Sequence, residues 1–157
     1  MSGITDRIGP LISTFSIVGF DPSNGDLGVA VATKYLAVGS SVPFARPKVG
    51  AIAVQAYANP VLGPEGLARL SQGLAPQDVV DGLMAEDEGR DFRQLGIVDA
   101  EGRAVTYTGS ECEDWAGGAV GPYCAAQGNM LVGAITVRAM VEHFAESRGR
   151  LADRLVD

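Results

Sequence analysis

A threonine at the start of a strand-like run is the first place where this sequence suggests chemistry. Thr14 opens the run TFSIVGF. A threonine exposed as an N-terminus can use its own α-amine as the general base for its hydroxyl. Of the two lysines, Lys34 ends the strand that returns beside Thr14, and Lys48 precedes the following strand. A lysine there would stabilise charge, so the spacing favours an N-terminal nucleophile. Both lysines also fit the alternative of solvated side chains at strand ends.

Carboxamide side chains mark two further positions where a polar ligand could bind. Gln55 and Asn59 stand at the end of a predicted strand and in the turn after it, while Gln127 and Asn129 flank Gly128. Such groups could hydrogen-bond a substrate amide. The alternatives are capping of a strand end for the first pair and fixing of a loop for the second.

The remaining candidate groups predict neither a metal site nor a cofactor. Three acids of one loop could supply oxygen ligands to a hard cation, but a solvated acidic loop is the preferred interpretation. The single histidine has no serine nucleophile motif beside it. Cys112 and Cys124 are interpreted as reduced, buried thiols because two cysteines make no disulfide framework. The three acids are Glu111, Glu113 and Asp114.

Composition limits the classes of partner that this chain can have. It has 157 residues, a formal charge of −7 and 46% hydrophobic residues, which fits one globular domain. The negative charge and the scattered basic residues disfavour nucleic acid and anionic membranes as partners. The sequence has no apolar run of about 20 residues and no apolar signal-peptide centre. We therefore predict a cytoplasmic protein.

Turn signals and hydrophobic periodicity predict the elements that would position these residues. Strands are predicted at 14–20, 27–33, 49–57, 92–98 and 104–108, helices at 64–72, 76–86, 135–148 and 151–156, and loops at 42–48 and in the glycine-rich segment that carries Trp115 and both cysteines. The strands are grouped rather than alternating singly with helices, which favours two antiparallel sheets flanked by helices in an α+β fold.

Several segments, taken in order, resemble the DUF1028 family, a mostly bacterial family of unknown function in the N-terminal-nucleophile (Ntn) hydrolase superfamily. The resemblance covers residue 14 to about residue 157 and implies the four-layer αββα sandwich of proteasome β subunits. The segments that carry it are TFSIVGFD from Thr14, GDLGVAVA from Gly25, QAYANP from Gln55, RQLGIVD from Arg93, YTG from Tyr107 and QGN from Gln127.

The same resemblance implies roles for individual residues. The nucleophilic threonine of the proteasome-like template falls on Thr14, and the charged residue that ends its second strand falls on Thr33 or Lys34. Its active-site lysine suits Lys48. Its oxyanion donor, a backbone N–H at the start of the first long helix, falls at the Leu62–Gly63 step, where a developing negative charge would be stabilised.

The position of Thr14 departs from this pattern, because members of the family tend to start just before the matching threonine. Here thirteen residues precede it. We therefore predict an extension at 1–13 and an Ntn-like domain at 14–157. The enzyme would be inactive until the Ser13–Thr14 bond is cut. The final pattern stops abruptly at 151–156, which predicts a longer native chain or a second chain covering the sheet.

The sequence leaves two functions open. The first is an amidohydrolase that uses Thr14 as nucleophile, Lys34 or Lys48 as the cation, and Gln55, Asn59, Gly63 and Asn129 to bind a small amide or peptide. The second is a noncatalytic binding or assembly domain that retains the same fold. In either case we expect a homo-oligomer, because proteins of this architecture often assemble through their helices.

Overall fold

The structure, a computed structural model, describes residues 13–157. Apart from Ser13, the predicted N-terminal extension lies outside the described residues. Within them, eight strands and four α-helices follow one another along the chain. In order they are β1 Thr14–Asp21, β2 Asp26–Thr33, β3 Pro43–Arg46, β4 Gly50–Ala56, α1 Leu62–Ser71, α2 Pro76–Glu86, β5 Arg93–Asp99, β6 Ala104–Thr108, β7 Gly117–Gly121, β8 Cys124–Asn129, α3 Ile135–Glu146 and α4 Leu151–Val156.

The strands form two antiparallel sheets of four strands each, which confirms the predicted α+β class. The first sheet has the order β2-β1-β8-β7, and the second has the order β3-β4-β5-β6. The predicted hairpin of β1 and β2 is confirmed, with Thr14 opposite Thr33. Gly25 takes a positive φ of 80° in its turn, a conformation that glycine adopts at little cost. On its other side, β1 pairs with β8, so Thr14 also lies opposite Asn129.

Alternating side chains divide the core into three apolar clusters. Between the sheets, the cluster includes Val18 of β1, Ala53 of β4 and Ala125 of β8. The opposite face of the second sheet presents Ile52 and its neighbours to α1 and α2. The opposite face of the first sheet presents Ile17, among others, to α3 and α4. Each sheet therefore buries both of its faces, which accounts for the small apolar residues that run through its strands.

Glycine permits one of these contacts at close range. Gly28 on β2 lies directly under α4, and a Cβ atom there would be 2.8 Å from the side chain of Leu155. Because any larger residue would push the helix outward, the last helix and the first hairpin depend on this small residue to pack closely.

Two segments predicted as loops are strands, and these predictions were wrong. The segment 42–48 contains β3, since Pro43 is the first residue of a strand at the sheet edge, where a missing N–H is tolerated. The glycine-rich segment contains the β7–β8 hairpin. Its glycines are required by close neighbours: Gly117 lies under the indole of Trp115, and Gly118 faces Thr106.

The helices agree closely with their sequence signals. The observed α2 has the predicted bounds, with Pro76 at its start. The first helix begins two residues earlier than predicted, and Gly73 follows its end with a φ of 90°. The third ends at Glu146 rather than at residue 148. No helix among residues 13–157 is both long enough and apolar enough to cross a membrane.

Truncation of Leu83 should test the packing of α2 on the second sheet. Leu83 is buried in the apolar cluster between the second sheet and helices α1 and α2. We therefore expect Leu83→Ala to lower the free energy of unfolding by about 3 kcal/mol, because it loses buried surface and leaves an unfilled cavity. Leu74→Ala removes the same atoms from an exposed site and should cost less than about 1 kcal/mol. Urea denaturation of both variants measures the difference. Equal losses would contradict the assigned packing.

Candidate functional site

The layer between the sheets changes from apolar to polar along its length. On β1, Phe20 and Val18 face this layer at one end, and Ser16 and Thr14 continue the same face toward the other. Because side chains two residues apart share a face of a strand, the sequence TFSIVGF places polar groups at one end of the layer only. The candidate site lies at this polar end.

A cavity of about 570 Å³ opens at the polar end of the layer. We call it the Thr14 pocket. Thr14 and Thr33 line it from neighbouring strands, and Gln55 and Asn129 line it from β4 and β8. The loops after β2, β4 and β6 supply further walls. The structure thus brings together three of the predicted site residues, Thr14, Gln55 and Asn129, from three different strands.

Thr14 is half-buried, and its hydroxyl is held by a second threonine. The Oγ1 atoms of Thr14 and Thr33 are 2.9 Å apart, and either can donate the hydrogen bond. The nitrogen of Thr14 is in a peptide bond with Ser13, whose hydroxyl donates to the main-chain oxygen of Met130 at 2.9 Å. An acylated nitrogen cannot accept a proton, so in this form Thr14 has a positioned hydroxyl without its own base.

The two lysines occupy different ends of the molecule. Lys34 follows Thr33 directly and is exposed next to the Thr14 pocket, although it is not one of the residues lining it. Lys48 lies in the turn between β3 and β4. Gly50 beside that turn is separated from Gln55 at the pocket by about 17 Å of extended strand. The expectation that Lys48 could reach Thr14 is therefore not met, because it precedes the wrong end of β4.

Gln55 and Asn129 line the pocket, but most of their hydrogen-bonding capacity is used inside the protein. Gln55 accepts a hydrogen bond from Ser16 Oγ at 2.6 Å and donates from Nε2 to Gln94 Oε1 at 2.8 Å. Asn129 donates from Nδ2 to the same Gln94 oxygen at 3.0 Å. Carboxamides expected to bind substrate thus form part of a buried carboxamide network, which comprises Ser16, Gln55, Gln94, Gln127 and Asn129.

Gln94 is the centre of the carboxamide network. Its Oε1 accepts both of the bonds just described, and its Nε2 donates to Thr108 Oγ1 at 3.0 Å and to the Gly128 main-chain oxygen at 2.8 Å. Sequence reasoning treated Gln94 only as part of a strand. The sequence signal for its burial is the period-two spacing, because Gln94 lies on the same inter-sheet face of β5 as Gly96 and Val98.

Gln127 lies at the inner end of the network, where its main-chain oxygen accepts a hydrogen bond from Gln55 Nε2 of the other sheet at 3.3 Å. Its Nε2 donates to Ser16 Oγ at 2.6 Å. Its Oε1 is fully enclosed and has no hydrogen-bond partner among the residues that the structure describes. Gly96 lies against this carboxamide, and a Cβ atom on Gly96 would overlap it. Gln127 and Asn129 are strand residues, so the alternative that they fix a loop was wrong.

Asn59 and Gly63 lie outside the Thr14 pocket. Asn59 Oδ1 accepts a hydrogen bond from the Val61 main-chain N–H at 3.3 Å, and Asn59 lines a separate acidic groove. Gly63, in the first turn of α1, is buried against the ring of Phe44. The predicted substrate contacts by these two residues are therefore not assembled at the Thr14 pocket, whose lining from this loop ends at Pro60.

A partly buried ion pair that the sequence did not reveal holds one wall of the Thr14 pocket. Arg93 bonds to both carboxylate oxygens of Asp87, from Nε at 2.8 Å and from Nη2 at 3.3 Å, and donates from Nη1 to the Tyr57 main-chain oxygen at 2.6 Å. The Arg93 hydrogen bond is the main cause that lowers the pKa of Asp87. This clamp fixes the loop that carries Tyr57. Asp87 and Arg93 are six residues apart, and no helical or turn spacing predicts their contact.

The cysteines provide no activated nucleophile. Both are unbridged. Cys112 lines the pocket, but burial raises the pKa of its thiol, so it stays protonated near neutral pH. Burial raises the pKa of Cys124 to about 11. Across residues 13–157, no group of three or more histidine, cysteine or acidic side chains is arranged to hold a metal ion.

Comparison with known proteins gives a family but no activity. Residues 14–157 match the DUF1028 model, described as a family of unknown function. The crystal structure of protein SPO2555 from Silicibacter pomeroyi, which carries the same family model, is similar with a TM-score of 0.88 and 37% identity, over 92% of this chain and 67% of that chain. None of the curated proteins compared with the chain matches it.

A methyl group at position 96 should test the carboxamide network. Gly96→Ala would place that methyl group on the Gln127 carboxamide. We expect it to lower the free energy of unfolding by about 1–3 kcal/mol because the packed layer must move. Gly39→Ala is the matched control, since a Cβ there meets no atom within 4 Å among the described residues, and should change it by less than about 0.5 kcal/mol. Similar effects in thermal denaturation would contradict the assigned packing.

The Arg93–Asp87 clamp should make the free energy of unfolding depend on pH in the acid range. A carboxyl whose pKa is lowered on folding stabilises the protein above its unfolded pKa, near 3.8, and this stabilisation is lost as pH falls through the lower folded value. At pH 7, Asp87→Asn should cost about 2 kcal/mol. The difference in free energy of unfolding between wild type and Asp87→Asn should shrink below pH 3.8.

The matched control for this experiment is Asp91→Asn, which removes the same charge from an exposed position. It should change the free energy of unfolding by less than about 0.5 kcal/mol. Urea denaturation at a series of pH values from 7 to below 3.8 measures the free energy of unfolding of both variants. If the difference in free energy of unfolding between wild type and Asp87→Asn stays constant below pH 3.8, the stabilising role of the Arg93–Asp87 ion pair is contradicted.

Proposed function

The chain belongs to the DUF1028 family, and we propose that it is an amidohydrolase of the N-terminal-nucleophile type with Thr14 as nucleophile. The observation that carries the proposal is the position of Thr14. It is the first residue of an inner strand, and its hydroxyl is held by Thr33 at the wall of the pocket. The substrate is a small amide or peptide.

The arrangement of the helices supports the fold that this proposal needs. The apolar clusters pair α1 and α2 with one sheet and α3 and α4 with the other, while a third cluster lies between the sheets. We interpret these contacts as the four-layer αββα sandwich of Ntn hydrolases. In that fold the nucleophile begins a strand in the middle of a covered sheet, which is the position of Thr14 here.

The proposed reaction begins when cleavage of the Ser13–Thr14 bond frees the Thr14 amine. The amine takes the hydroxyl proton while Oγ1 bonds to the amide carbonyl carbon. The C–N bond then breaks, and the leaving amine departs with that proton. Water cleaves the acyl-threonine ester and restores the hydroxyl. Thr33 orients Oγ1, and Lys34 supplies positive charge near the developing oxyanion.

A noncatalytic ligand-binding domain is the second candidate, and one observation favours it. Gln55 uses both ends of its carboxamide in hydrogen bonds to other protein groups. In this alternative the pocket binds a small molecule without turning it over. Homo-oligomerisation and a cytoplasmic location remain predictions from the sequence under either candidate.

A form of the protein that begins at Thr14 after removal of Met should hydrolyse members of a panel of small amides, measured by amine release. Thr14→Ala should lower this activity at least about a thousandfold, because it removes the nucleophile. Lys34→Ala should lower it about tenfold, or about 1.4 kcal/mol of transition-state stabilisation. The form that retains Ser13 should be inactive.

Lys48→Ala is the matched control for the lysine variant, since it removes the same charge at the far end of β4. It should leave the rate unchanged. If the form beginning at Thr14 releases no more amine than its Thr14→Ala variant, the hydrolase is rejected and the binding domain becomes the better account.

A further inference from the structure

The charge balance of the Thr14 pocket identifies the ligands that it favours. Two of its lining residues in the described part of the chain, Arg93 and Glu113, carry charged side chains at neutral pH. Arg93 is neutralised, because its guanidinium bonds to both carboxylate oxygens of Asp87. Within the lining, what remains is the negative charge of Glu113, while the cation of Lys34 lies next to the pocket and is not part of its lining.

Glu113 is anchored at this position by the backbone. Its main-chain oxygen accepts a hydrogen bond from the N–H of Met130 at 3.1 Å, directly after the strand end that carries Asn129. The side chain is exposed, and no salt bridge within residues 13–157 engages it. Glu111 and Asp114 on the same loop add negative charge outside the pocket lining.

The other polar and aromatic groups of the pocket also suit a cation. Tyr35 and Tyr57 line the pocket and are largely exposed, so they offer aromatic surface to a positive group, and the Tyr57 ring also packs edge-to-face with Phe92 at 5.8 Å. Asn129 has its Nδ2 directed to Gln94, and no hydrogen bond from residues 13–157 engages its Oδ1. A carboxylate, two aromatic rings and a carbonyl oxygen are groups that attract ammonium or guanidinium donors and repel anions.

We propose that the Thr14 pocket selects small amides that carry a positive charge, an ammonium or guanidinium group, with Glu113 as the residue that determines this specificity. The assignment of these ligands as substrates rests on the proposed function, whereas their binding does not. A single partly exposed ion pair contributes about 0.2–1 kcal/mol, which corresponds to a preference of up to about fivefold over a neutral ligand of the same shape.

Three probes of matched shape test the proposal by calorimetry on the full chain: N-acetyl-lysinamide, the neutral N-acetyl-norleucinamide and the anionic N-acetyl-glutamic acid α-amide. We expect the lysine probe to bind about threefold to fivefold more tightly than the norleucine probe and the anionic probe to bind most weakly. Glu113→Gln should remove the preference between the first two. Glu111→Gln is the matched control from the same exposed loop and should retain it.

The outcomes separate this inference from the hydrolase proposal. The preference for the lysine probe, abolished in Glu113→Gln alone, supports the inference even if the form beginning at Thr14 proves inactive. Equal binding of all three probes, binding of none, or equal effects of the Glu113 and Glu111 variants overturns it. If the form beginning at Thr14 hydrolyses the norleucine and lysine amides equally well, the substrate assignment is overturned while the hydrolase stands.

Discussion

The fold depends on satisfying the polar half of the layer between its two sheets. Ser16, Gln55, Gln94, Gln127 and Asn129 are almost completely buried there. A buried carboxamide without partners costs several kcal/mol relative to water, so these groups are tolerated because they bond to one another and to strand carbonyls. Gln127 Oε1 is the enclosed side-chain atom that has no partner among residues 13–157. Since the bonds cross from one sheet to the other, they fix the relative position of the sheets more specifically than the apolar end of the layer can.

This network also determines where a ligand can enter. At the apolar end, small residues such as Ala51 and Ala125 let the sheets meet closely. At the polar end, Gln55 and Asn129 belong to the network and also line the pocket. The network therefore forms the boundary between packed interior and cavity. The loop that carries Tyr57 is fixed separately, by the Arg93–Asp87 clamp, so one wall of the pocket depends on an ion pair and the floor on neutral hydrogen bonds.

Local signals in the sequence predicted most elements, and long-range contacts account for the failures. The Asn24–Gly25 turn and the start of α2 at Pro76 have specific backbone geometries that neighbouring residues encode. The strand beginning at Pro43 depends on its edge position, and β7 depends on Trp115 and Thr106 covering its glycines, neither of which local composition contains. Among the site residues, Thr14 and Gln55 were predictable from the start and end of strands, and Asn129 was predictable only as a carboxamide beside Gly128. Arg93 was not, because its partner Asp87 lies before the strand that Arg93 begins.

The chemistry of the network limits how Thr14 could be activated. Carboxamides do not take up protons near neutral pH, and the hydroxyl of Thr33 is no stronger a base than that of Thr14. Cys112 retains its proton because burial raises its pKa, and the guanidinium of Arg93 has no proton-accepting atom. The pocket floor can therefore hold and orient the Thr14 hydroxyl but cannot deprotonate it. In the proposed hydrolase the base is the α-amine of Thr14 itself, which makes the state of the Ser13–Thr14 bond the feature that divides a hydrolase from a binding domain.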